Sequence, residues 1–158
     1  MLKIIRAMNQ LDFEQMMCIY QESNHKKGES NWKTEQEAYA YLQELLLDKR
    51  GFCAIWEVDG RYVTALRIER FKDDAWLLTA LETLPTARKR GYAKSLIREV
   101  AQYLKENGAG KLYSHVEKRN VISLVVHKSC GFKEVLQHAV LLDGTVTQRY
   151  VTLCLDFS

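Results

Sequence analysis

The stretch AWLLTALETLPTARKRGYAKSLIREVAQYL, Ala75 to Leu104, changes its period in the middle. Ala75 to Thr83 is an apolar run suited to extended chain, whereas from Ala93 onward Leu96, Ile97, Val100, Ala101 and Leu104 recur at helical spacing. Between them lie Pro85, three consecutive cations at Arg88, Lys89 and Arg90, and then Gly91, Tyr92 and Ala93. Asn107-Gly108 stops the helix, and KLYSHV resumes as a strand. Strand, glycine-containing loop, helix and strand make a βαβ crossover, so the two strands are expected to be parallel.

Working outward, FCAIWEV and RYVTALRIERF flank Asp59-Gly60, a dipeptide suited to the positive φ angles of a type I′ hairpin. With Ala75 to Thr83, after a turn at Lys72-Asp73-Asp74, they predict an antiparallel meander. Upstream, Leu2 to Arg6 reads as a short strand, and Asp12 with Gln15 opens a helix to about Glu22. Thr34 and Glu37 form a second capping box, followed by the amphipathic set Ala38, Tyr41, Leu42, Leu45 and Leu46. Downstream, a helix from near Asn120 to Gly131 leads into a hairpin, Lys133 to Leu142 and Thr147 to Phe157, turned at Asp143-Gly144. The order β-α-α-β-β-β-α-β-α-β-β predicts a mixed α/β sheet with helices on both faces.

A length of 158 residues fits one domain, 1–158, with its own core. A formal charge of +3 is too small to argue for nucleic acid, so the cations of the loop act locally. Cys18, Cys53, Cys130 and Cys154 are far apart without metal-ligand spacing, which predicts reduced thiols and no metal. The N-terminal stretch lacks the apolar core of a signal peptide, and no window approaches a membrane span. These features predict a soluble, cytoplasmic protein that binds neither membrane nor nucleic acid.

At a strand-to-helix turn the first N–H groups of the helix lack partners and the helix dipole adds positive potential, which makes an anion site. Gly91 lets backbone come close, and Ala93 removes bulk one step into the helix. By itself R-x-x-G-x-A also describes a solvated basic helix start. The glycine spacing of a phosphate-binding Walker loop and that of a dinucleotide fingerprint are both missing. A second constellation lies downstream: Asn120, Ser123 and His127 fall on one helical face, followed by Gly131-Phe132. Capping by Asn120 and Gly131, small-residue packing by Ser123 and a structural histidine at His127 are the plain readings of that face.

Together the two motifs, Pro85, Arg88, Gly91 and Ala93 followed by Asn120, Ser123, His127, Gly131 and Phe132, resemble the GNAT superfamily of N-acetyltransferases over nearly the whole chain. The resemblance implies a central, mostly antiparallel sheet of about seven strands. It also implies direct transfer of an acetyl group from acetyl-CoA, as cosubstrate, to a primary amine of a small molecule or peptide. Arg88, Lys89, Arg90, Gly91, Tyr92 and Ala93 would hold the pyrophosphate, main-chain groups of Leu81 and Thr83 the pantetheine arm, and Asn120 and Ser123 the arm nearer the thioester. Thr83 stands where the family usually carries a β-branched apolar residue, and His127 where it more often carries a tyrosine that protonates the leaving thiolate. His127 is therefore the expected acid, or a hydrogen-bond donor to sulfur, and Glu82 the first choice of base, ahead of Glu117 and His115. The acceptor site is expected around His25 to Trp32 and the terminal hairpin. A non-catalytic acyl-CoA-binding or protein-interaction module on the same fold is the alternative, and a homodimer is possible.

Overall fold

The alternation of period along the chain produces the expected elements. The computed structural model describes residues 1–24, 35–72 and 74–158. Strand β1 (Leu2–Ile5) is followed by helices α1 (Phe13–Asn24) and α2 (Glu35–Leu47). A meander follows, β2 (Gly51–Val58), β3 (Arg61–Lys72) and β4 (Ala75–Thr83), then helix α3 (Tyr92–Glu106) and strand β5 (Lys111–Glu117). The chain continues with helix α4 (Val121–Ser129) and strands β6 (Lys133–Leu136), β7 (Ala139–Val140), β8 (Val146–Thr147) and β9 (Tyr150–Asp156). Among the described residues these form a seven-stranded sheet in the order β1-β2-β3-β4-β5-β9-β6 and a small β7-β8 ladder. Pairing is antiparallel except between β4 and β5.

Local chemistry explains the boundaries. Asp12 caps α1 by accepting from the Gln15 amide at 3.2 Å, and Gln15 Nε2 donates back to its carboxylate at 3.1 Å. Asp59 and Gly60 both take positive φ, 51° and 76°, as the two-residue hairpin between β2 and β3 requires. Asn120 caps α4, its Oδ1 accepting from Ser123 N at 3.1 Å. Thr34, the expected cap of α2, lies outside the described residues.

Each face of the sheet has its own core. On one side, α3 buries Leu96, Ile97, Val100 and Leu104 against Phe52, Ala54, Leu66, Ile68, Leu78, Leu112 and Leu153. On the other, Met16, Ile19 and Tyr20 of α1 with Leu42 and Leu46 of α2 cover Cys53, Ile55, Ala65 and Val63. At ~25 cal/mol per Å² of apolar surface, burying one such leucine contributes about 2 kcal/mol, so these stripes fix the helices to the sheet.

The terminal hairpin departs from expectation. Its long arms do not pair throughout: β6 and β9 join in the main sheet, while the residues between them turn aside as the β7-β8 ladder. β9 also pairs with β5 along Lys111–Glu117, so it lies inside the sheet and β6 at its edge.

Candidate active site

β4 and β5 share only four rungs, from Ala75↔Lys111 to Leu78↔Ser114. Beyond Leu78, β4 keeps β3 on one side and, among the described residues, has no strand on the other, so a wedge opens between β4 and β5 with main-chain groups of β4 along one wall. Leu81 and Thr83 lie on this stretch.

A bulge shapes the same stretch. Thr79 pairs with Arg67 and Glu82 with Ala65, so three steps on β4 oppose two on β3, and Ala80 takes φ 54°. The extra residue reverses the alternation of faces. Leu77 and Thr79 line a cavity on the α1 and α2 side, Leu81 packs against the α3 core, and Glu82 again faces the cavity. Tyr20 holds the bulge, its hydroxyl donating to the Ala80 carbonyl at 2.7 Å. Burial pushes the Tyr20 phenol far above its usual value, so it stays a donor. Thr83 meets the buried Thr64 with hydroxyls 3.1 Å apart, which gives a hydroxyl-bearing residue its reason at this position.

The loop runs through a short 3₁₀ turn, Pro85–Ala87, into α3. Lys89 and Gly91 both have positive φ, 64° and 78°, so the chain changes hand twice before the helix, as in anion-binding main-chain nests. Among the described residues, a Cβ on Gly91 would meet nothing within 4 Å, so space stands before the helix start, and no side chain caps it. Those free N–H groups fit a pyrophosphate. Arg90 is exposed, Tyr92 opens the helix and packs against the α1 and α2 core, and Ala93 follows it. Arg88 turns back toward the sheet, donating through Nε to the Thr83 carbonyl at 3.3 Å and lying 3.3 Å from Glu22 and 3.6 Å from Glu82.

The cavity, about 630 Å³, is lined among others by Tyr20, Tyr41, Arg67, Glu69, Thr79, Glu82 and His115, with Leu141, Leu142 and Asp143 contributed by the hairpin. Of the expected bases, Glu82 and His115 line it; Glu117 pairs with Arg149 at 3.3 Å instead. Burial, with help from Lys72, lowers the His115 pKa and favours its neutral form. The segment His25 to Trp32 lies outside the described residues.

His127 is 1% exposed and does not line the cavity. Its Nδ1 faces the Ser123 carbonyl at 2.7 Å, which requires a proton there, and its Nε2 then accepts from Ser114 Oγ at 2.9 Å. Burial lowers its pKa, so this neutral tautomer persists at pH 7. The ring thus ties α4 to β5 at the last rung before the strands part. Sequence reasoning missed Tyr20, Tyr41, Arg67, Glu69, Thr79 and Asp143. Ala65, Arg67 and Glu69 alternate with apolar residues on a buried strand, and that is the signal that could have found two of them.

Comparison with known proteins agrees with this geometry. The profile of the acetyltransferase (GNAT) family matches residues 13–132. The chain belongs to that family. Its fold is similar to that of a ribosomal-protein-alanine N-acetyltransferase from Brucella melitensis, with a TM-score of 0.75 and 18% identity over 98% of this chain and 99% of that one. A spermidine N-acetyltransferase variant from Vibrio cholerae gives 0.74 and 16% over 100% and 95%. A Bacillus subtilis acetyltransferase in complex with CoA gives 0.61 and 16% over 76% and 84%. No curated protein sequence matches. Acetyl-CoA is the cosubstrate of this family, and the described residues hold no cluster of three or more metal-ligating side chains. No helix among them is long and apolar enough to cross a membrane.

Proposed function

We propose that the chain transfers an acetyl group from acetyl-CoA directly to a primary amine of a small molecule or peptide. The observation that carries this reading is the wedge: it leads from an uncapped helix start at Gly91 to a cavity holding a carboxylate at Glu82.

When bound, acetyl-CoA supplies the acyl thioester. The N–H groups after Gly91, with Arg90 and Lys89 nearby, hold the pyrophosphate, and Leu81 and Thr83 offer main-chain groups to the arm as an added strand would meet them. Asn120 spends its Oδ1 on the α4 cap, which leaves its amide N–H groups for the arm, beside the Ser123 hydroxyl, whose oxygen lies 3.3 Å from His127 Nδ1. An amine of pKa ~10.4 arrives protonated at pH 7 and must lose a proton before attack. Glu82 faces the cavity and takes it. His127 holds Ser114 and α4 at the vertex, and it reaches the leaving sulfur only if the Ser114 contact opens. The reduced cysteines are consistent with a cytoplasmic site of action.

A thiol-release assay with acetyl-CoA and an amine panel tests this reading. Glu82→Gln should lower kcat by about 10²- to 10⁴-fold with acetyl-CoA affinity kept. Cofactor binding without thiol release from any amine would favour a non-catalytic module; no acetyl-CoA binding at millimolar concentration sinks the reading. His127→Phe with kcat down more than about tenfold and KM for acetyl-CoA unchanged would support the acid role.

A further inference from the structure

Glu69 lies in the cavity wall, 7% exposed, and has no part in the chemistry assigned to Glu82. One carboxylate oxygen accepts from the Tyr41 hydroxyl and the other from Thr79 Oγ1 at 3.0 Å. Burial and this bond raise the Tyr41 phenol to about 12, so it remains a donor. Among the described residues, no basic side chain stands within ion-pair distance of Glu69. Arg67, two residues away on the same strand face, stacks its guanidinium on the Tyr41 ring at 4.8 Å. A carboxylate removed from water without a direct ion pair is costly, and two neutral donors fill only half of its lone-pair sites. Open to a cavity, it is built to receive a cation from outside.

The register sets how far that cation sits from the reacting nitrogen. Glu82 pairs with Ala65 and Glu69 with Leu77, so the two carboxylates belong to rungs four β3 residues apart, about 13 Å at ~3.3 Å per residue. Resting on the acyl-transfer reading above, we propose that the acceptor is a dicationic chain. Its reacting amine lies by Glu82 at the wedge, and a second ammonium is held by Glu69, Tyr41 and Thr79 deeper in the cavity. Glu69 is then the residue that sets acceptor specificity.

Alkane-α,ω-diamines from diaminopropane to diaminooctane, with length-matched monoamines and ω-amino acids, test this by thiol release and by calorimetric titration in the presence of CoA. The longer diamines should exceed their matched monoamines by at least ~10-fold in kcat/KM, the worth of one charge-assisted hydrogen bond. Glu69→Gln should remove that advantage, lowering diamine kcat/KM by at least ~10-fold more than monoamine kcat/KM. Equal rates for diamine and monoamine in the unmodified protein overturn the proposal. So does an equal loss on both substrates in Glu69→Gln, which marks a structural role, or a preference for ω-amino acids, which makes Arg67 the reader. Titration separates the two readings: diamine binding that depends on Glu69 without thiol release supports this subsite while the acyl-transfer reading fails.

Discussion

The loop before α3 and the cavity beside it, on the α1 and α2 side of the sheet, use different materials. The loop presents main chain, with two positive-φ residues, an uncapped helix start and, among the described residues, space where a side chain on Gly91 would stand. The cavity presents side chains drawn from α1, α2, β3, β4, β5 and the hairpin. A backbone site is specified by where glycine and small residues fall in one short stretch. A side-chain site is specified by a register that spans the whole chain.

The comparison breaks first at Gly91. Gly91→Val forces a β-branched residue to φ 78° at a cost of about 1–3 kcal/mol, so acetyl-CoA should bind roughly 5- to 150-fold more weakly by titration. Arg90→Ala should cost only about threefold, an effect that fades with added salt. If the two variants prove equal, charge rather than backbone makes the loop.

Tyr20→Phe tests the cavity. It leaves the Ala80 carbonyl without its donor, and the melting curve should report a loss of about 1–3 kcal/mol. The KM for amine should rise while acetyl-CoA affinity stays level; a change in both would mean that the bulge serves the two sites together. Thr83→Val should be milder, about 1 kcal/mol of stability with the main-chain contacts to acetyl-CoA unchanged, because only the Thr64 hydroxyl loses its partner.

The smallest effect is in acid. The His127 pKa is depressed in the fold, so below the unfolded value of ~6.5 the unfolded chain binds more protons than the folded one. Stability at pH 7 is therefore lost as pH falls from ~6.5 through the lowered folded value. In His127→Gln that part of the decline in melting temperature should vanish, leaving the part due to His115, which is shifted the same way.

This contrast also explains what was legible in the sequence. The α3 stripe, the Asp59-Gly60 turn and the parallel β4-β5 pair follow from local period and turn chemistry, and they position the loop. The β7-β8 detour was invisible because Asp143-Gly144 marks a turn without saying how far its arms pair. Nothing in TALET announces a bulge, since Ala80 adopts positive φ without being glycine. Glu82 was nevertheless singled out from its place before the loop, whereas Glu69 and Tyr41 needed the register of β3 against β4 and the docking of α2 to meet. His127 was visible as a residue on the α4 face, but its tie to Ser114 depends on how α4 lies against β5.

The bulge at Ala80 means that the cavity is stored partly as a count of residues. Point substitutions in β4 change what a position carries, whereas removing Ala80 would change only how the strand is counted. Leu81 would then fall opposite Leu66 and Glu82 would stay opposite Ala65, so the carboxylate would keep its place in the cavity while the bend that Tyr20 grips would straighten. The extra residue is thus a spare in the pairing ladder: it bends the wall of the cavity without deciding which side chains face it.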